Sequence, residues 1–86
     1  MTEAELMATW IAAADNVALA LAHEPDASVD AELARMRRNL NAEFCALFPS
    51  VPPETMAAGV DCIVAEIQKR RREIEASGET PPAVVN

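Results

Sequence analysis

Leu6 to Ala22 reads LMATWIAAADNVALALA, with only Thr9, Asp15 and Asn16 breaking its apolar character. Every one of its turns can be helical, and a helix that is apolar nearly all round has to be covered on more than one side. The chain has 86 residues, so few other elements exist to provide that cover. The stretch therefore implies a helical fold in which part of the first helix meets a second molecule, either another copy or a target protein.

Composition points the same way. A chain of this size forms at most one domain and buries roughly 60–65% of its unfolded surface. The apolar fraction of 51% overstates the core, because 18 of those residues are alanine. Leu, Ile, Val and Phe together number 19 of 86, about 22%, just above the range in which disorder is the default. Trp10, Phe44 and Phe48 are the only aromatic residues. So thin a core favours extra burial through oligomerisation or partner binding.

Proline and glycine punctuate the chain. Pro25, then Pro49, Pro52 and Pro53, divide it into three segments, and Gly78 followed by Pro81 and Pro82 closes the last. Neither an internal repeat nor a strand-like alternation is present. The expected fold is all-α, with helices over 3–23, 28–48 and 53–77 forming one domain over 1–78 and a flexible tail over 79–86, packed as a helical homodimer.

The first helix can start at Thr2, with Glu5 completing a T-x-x-E capping box. Met7, Trp10, Ala14, Val17 and Leu21 then recur at coiled-coil spacing, and Leu6, Ile11, Ala18 and Ala22 widen the apolar surface. Ser28 suits the N-cap of the second helix, whose stripe is Val29, Leu33, Met36, Leu40, Phe44 and Leu47. Pro53 fits the first position of the third helix, with Glu54 in its favourable first turn. There the stripe is Met56, Val60, Ile63, Ile67 and Ile74.

The net charge of −7 is unevenly placed. Residues 1–34 contain seven acids and no Lys or Arg, while all seven basic residues lie in Arg35/Arg37/Arg38 and in Lys69 to Arg72. Such acidity disfavours non-specific contact with nucleic acid and anionic membranes. The basic run has acidic neighbours at helical spacing, Glu66 before Lys69 and Arg70, Glu73 after Lys69 and Glu75 after Arg71, so it reads as a self-paired helix end. A docking patch built from Arg37, Arg38, Arg70 and Arg71 is the alternative, and a small regulator that contacts DNA through these clusters follows from it. The rigid PSVPP connection and the apolar, acidic start of the third helix are wrong for a helix-turn-helix reader.

No residue pattern for catalysis, metal or cofactor binding is present. His23 is the only histidine and stands at a helix end, where an imidazolium would complement the dipole. Cys45 and Cys62 lack the neighbours of a zinc or redox site and are expected as two buried free thiols, with a bridge between helices as the alternative. Gly59 and Gly78 form no phosphate loop. The acidic start Met1 to Glu5, and Asp15-Asn16 in mid-stretch, argue against a signal peptide or membrane span, which places the chain in the cytoplasm.

The functional expectation is a non-enzymatic inhibitor, antiactivator or adaptor that binds another protein stoichiometrically, of the kind carried by phages and mobile elements. Its interface residues would be Leu6, Met7, Trp10, Ile11, Ala14, Val17 and Leu21. Trp10 would be either the interface anchor or the centre of a small core. Asn16 would set register where two first helices cross, with Ala8, Ala12, Ala13 and Ala20 permitting close approach, or else simply face solvent.

Overall fold

The structure is a computed structural model that describes residues 2–77. Helices α1 (Glu3–Ala12) and α2 (Ala14–Leu21) form the first arm, α3 (Asp26–Leu47) returns, and α4 (Pro53–Ser77) closes the bundle. The all-α expectation holds, and no strand occurs among the described residues. Gly78 and the tail over 79–86 lie outside those residues.

The α1 N-terminus is closed by reciprocal bonds. The Glu5 amide donates to Thr2 Oγ1 at 3.2 Å, and the Thr2 amide donates to Glu5 Oε1 at 2.9 Å. These bonds, the backbone one foremost, hold the Glu5 carboxyl below its ordinary 4.5.

The first of the three expected helices, over 3–23, forms as one arm with a single non-helical residue inside it. The first arm is interrupted at Ala13 and ends at Leu21. Ala13 sits at φ −81° and ψ −6°, and its amide is shared between the Thr9 and Trp10 carbonyls at 3.1 Å each, a local 3₁₀-type tightening. Thr9 Oγ1 donates back to the Glu5 carbonyl at 2.9 Å one turn earlier. Asp15 and Asn16, whose side chains compete for backbone groups, follow the interruption.

The second helix likewise starts earlier than Ser28. Pro25, at φ −59°, precedes Asp26 as the cap residue, and its carbonyl already accepts from the Val29 amide at 3.0 Å. Pro25 is preorganised by its ring for this entry, so a hydroxyl cap is not required. The α4 bounds match the expected ones, with Pro53 in the first position.

Helix α4 is the shared wall. Met56, Val60, Ile63, Val64 and Ile67 are at most 1% exposed and receive α1 and α2 on one side and α3 on the other. Ion pairs and contacts give the directions. Arg37 of α3 reaches Asp61 at 3.1 Å while Arg71 reaches Asp26 at 3.0 Å, so α3 runs antiparallel to α4. Met7 lies against Gly59 and Asp15 pairs with Arg70, so the first arm runs parallel to α4.

Two features lock this arrangement. A Cβ on Gly59 would come within 2.7 Å of Met7 Sδ, so the glycine leaves room for the Met7 tip where α1 packs on α4. Arg71, whose side chain is only 12% exposed, donates to the Leu21 carbonyl at 3.1 Å, to the Glu24 carbonyl at 2.9 Å and to Asp26 Oδ1 at 3.0 Å, and pairs with Glu75 at 3.1 Å. A planar fork can serve the end of α2, the turn and the start of α3 together. The Leu21 carbonyl at the α2 end thus accepts from the Glu24 amide at 3.1 Å as well as from an arginine of α4, while His23 in the same turn is exposed.

Four outcomes are expected. Arg71→Ala should lower unfolding free energy by about 2–3 kcal/mol in urea titrations, with Arg71→Lys recovering less than half, because each charged hydrogen bond is worth about 1.5–3 kcal/mol net and an ammonium cannot span all three partners. Arg38→Ala, at an exposed position, should stay within about 0.5 kcal/mol. Gly59→Ala should change stability little by itself, since about 1 kcal/mol of helix propensity is offset by displacing the Met7 tip. In a Met7→Ala background the same change should stabilise by roughly that amount, and a double-mutant cycle without coupling would refute the seat. Finally, because the Glu5 carboxyl is depressed, its stabilisation of α1 is present above 4.5 and is lost as pH falls through its folded value. Amide exchange of residues 3–8 should therefore quicken on acidification in the wild type and be pH-independent in Glu5→Gln, whose amide oxygen can still accept from Thr2, after correction for intrinsic rates.

Candidate interaction surface

A three-helix bundle has three seams, and here the principal helix packings fill the two that involve α4. The third, between α1 and α3, stays open as a groove of about 280 Å³. Trp10 forms its α1 wall, Met36 supplies apolar surface from α3 over a floor at the buried Leu40, and Glu32, Arg35, Asn39 and Glu43 form the rim. Trp10 and Met36 are half-buried, packed against the core yet reaching solvent.

Helical register extends this surface. Residues 36, 40, 43 and 47 recur at four, three and four, so Leu47 shares the face of Met36 and Leu40. Leu47 is 59% exposed, and no other large hydrophobic side chain among the described residues is comparably open. It was expected in the core stripe of its helix. It misses the core because α3 outlasts the helices that would cover it: Leu47 is its last residue, and the chain turns away at Phe48. On α1, Leu6 and Glu3 lie about one and two turns before Trp10. Since α1 and α3 run in opposite directions, that end of α1 lies toward Glu43 and Leu47.

The expected interface residues divide. Ala14 and Leu21 are covered within the chain at 0% and 9% exposure. Met7 is committed to Gly59, whereas Leu6, Trp10, Ile11 and Val17 are half-buried. The outer face of the first arm is Ala8, Ala12, Asn16 and Ala20, all exposed, with Ala13 half-buried. Much of the apparent surplus apolar character is thus alanine facing outward, and the larger side chains turn toward the bundle.

The charged residues also separate. Arg70 pairs with Asp15 and with Glu66 at 3.3 Å, which raises its pKa, Asp15 contributing most. Arg71 is the junction fastener described above, and Arg37 spans to Asp61. Arg35 pairs with Glu32. Arg38, Lys69 and Arg72 make no ion pair with the described residues. Along α4 the two basic groups sit about 15 Å apart, from the level of Asp61 to that of Arg71.

A second opening of about 360 Å³ lies where α3 begins and α4 ends, lined by Asp26, Val29, Asp30, Gln68, Arg71, Arg72 and Glu75. Its walls are mixed in charge, and Arg71 is already engaged with Asp26 and Glu75. The cysteines are free, but neither is fully buried: Cys45 is half-buried and Cys62 exposed. Cys62 is displaced by one residue, about 100° of turn, from the buried Ile63 and so points off the core stripe. Among the described residues no group of three or more His, Cys, Asp or Glu side chains converges to hold a metal.

Residues Glu3–Leu21, taken as one helix of 19 residues with mean hydropathy 1.2, have the length and composition of a membrane-crossing helix. In this fold they are interrupted at Ala13 and joined to α4 through Asp15 and Arg70. No protein family, curated protein or solved structure matches the chain.

Of the α3 residues in the groove, Leu40 is the core position its spacing predicts, whereas Met36, expected in the same stripe, is only partly buried and Glu43 is exposed as expected. The legible signal was their spacing with Leu47. Its meaning depended on which side of α3 would be left without a neighbour.

Proposed function

We propose that this protein is a non-enzymatic cytoplasmic interaction module that binds another protein through the α1–α3 groove and thereby modulates it, most simply by occluding a surface. The observation that supports this reading is the partly buried Trp10, still reaching solvent, beside Met36 in an open groove with a polar rim. Aromatic side chains set among apolar neighbours and ringed by polar groups are where binding energy concentrates in protein interfaces. The net charge of −7, with Arg37, Arg70 and Arg71 engaged inside the bundle, favours a protein over a nucleic acid as the partner.

The test is affinity capture of the tagged protein from its source cells with and without nuclease, run beside Leu47→Asp and Trp10→Ala. Leu47→Asp alters an exposed position and leaves the core intact, while melting curves show whether Trp10→Ala remains folded. The expected result is a stoichiometric protein that survives nuclease and is lost with both variants, each weakening the complex by about 2 kcal/mol or more, roughly 30-fold in Kd. Recovery of nucleic acid, or capture indifferent to both folded variants, would sink the reading. Sedimentation of the purified protein reads the homodimer expectation directly.

A further inference from the structure

We infer that the occupant of the α1–α3 groove is an amphipathic helix with basic residues toward one end, lying along Trp10, Met36 and Leu47 above the buried Leu40; this inference rests on the interaction reading above. Length comes first. Met36 to Leu47 spans about 16 Å of α3, three turns, which suits a helix presenting apolar side chains at i, i+4, i+7 and i+11. A trough between two helices takes a third in the way a bundle does, by ridges entering the groove.

Charge then selects the partner. Arg35, the only cation on the rim, is held by Glu32. Glu43 on the rim and Glu3 near the same end of α1 make no ion pair with the described residues. Arg38 is two residues, about 200° of helical turn, from Met36 and so faces away from the groove. The other described cations are engaged within the bundle or belong to α4. The open end of the trough is therefore acidic, and a Lys- or Arg-bearing turn on the partner would find there two carboxylates, Glu43 on the rim and Glu3 beyond it, that no described residue pairs. A second copy of this chain would bring its own acidic face to the same place, against like-charge repulsion.

Trp10, the only tryptophan, makes the groove its own reporter. The probe is a Trp-free peptide of about 18 residues with Leu at i, i+4, i+7 and i+11 and Lys and Ala elsewhere, paired with the same peptide carrying Glu for Lys. The expected result is a saturable blue shift of Trp10 emission with the Lys peptide, weakened by salt and by about 2- to 5-fold in each of Glu43→Lys and Glu3→Lys, with little response to the Glu peptide. Equal response to both peptides would overturn the basic-helix inference while leaving the groove as a docking site and the interaction reading intact. No response to either peptide would also overturn it, with the interaction reading then judged by the capture of wild type against Leu47→Asp. A shift on concentrating the protein alone, or on adding zwitterionic lipid vesicles, would assign the groove to a second copy or to a bilayer and overturn it equally.

Discussion

Helix α4 is a wall shared by everything else in the fold, and the shortage of large apolar residues makes it so. Five side chains of α4, from Met56 to Ile67, are essentially sealed, and each is worth roughly 1.5–3 kcal/mol when fully buried. With 19 Leu, Ile, Val and Phe residues in the whole chain, there is not enough apolar surface to fill three seams equally. The two seams on α4 are filled, and the third is left as the groove that holds Trp10. A thin core and an open α1–α3 groove are in this sense one property.

Polar fasteners complete what the core leaves loose. Near the C-terminal end of α4, Arg71 gathers the end of α2, the turn and the start of α3, while Arg70 takes Asp15. Isolated surface ion pairs contribute little, but a mostly buried guanidinium serving two carbonyls and a carboxylate replaces several water contacts at once. The use of cations inside the bundle also shapes its exterior. Carboxylates outnumber basic groups, and those without an ion pair among the described residues, Glu3 and Glu43 included, give the open seam its sign.

The three helical segments were legible because proline spacing and one stripe of large residues per segment are local signals. The capping box at Thr2 and Glu5 was legible for the same reason, and so were the Arg70–Glu66 and Arg71–Glu75 pairs, which lie at helical spacing. The break at Ala13 was not. Alanine is the best helix former, and the tightening there shows only in backbone bonds shared between neighbouring carbonyls. Leu47 was assigned to the core by period alone, yet a stripe is buried only as far as its neighbours extend. The same reasoning moves Cys62 out of the interior, one residue off a stripe that is otherwise sealed.

By itself, the sequence determined that the chain is helical, where its turns fall, that its core is lean and that its charge is acidic, because each of these depends on residue type and spacing along a few turns. Only the tertiary structure decided which faces meet. It made α4 the wall, Gly59 the seat for Met7, Arg71 the junction of three segments, and the Trp10 side of α1 the partner of an open seam. Periodicity says that a face is apolar. Which apolar face stays uncovered depends on the directions and lengths of the helices beside it, and those are set by contacts between residues about fifty positions apart.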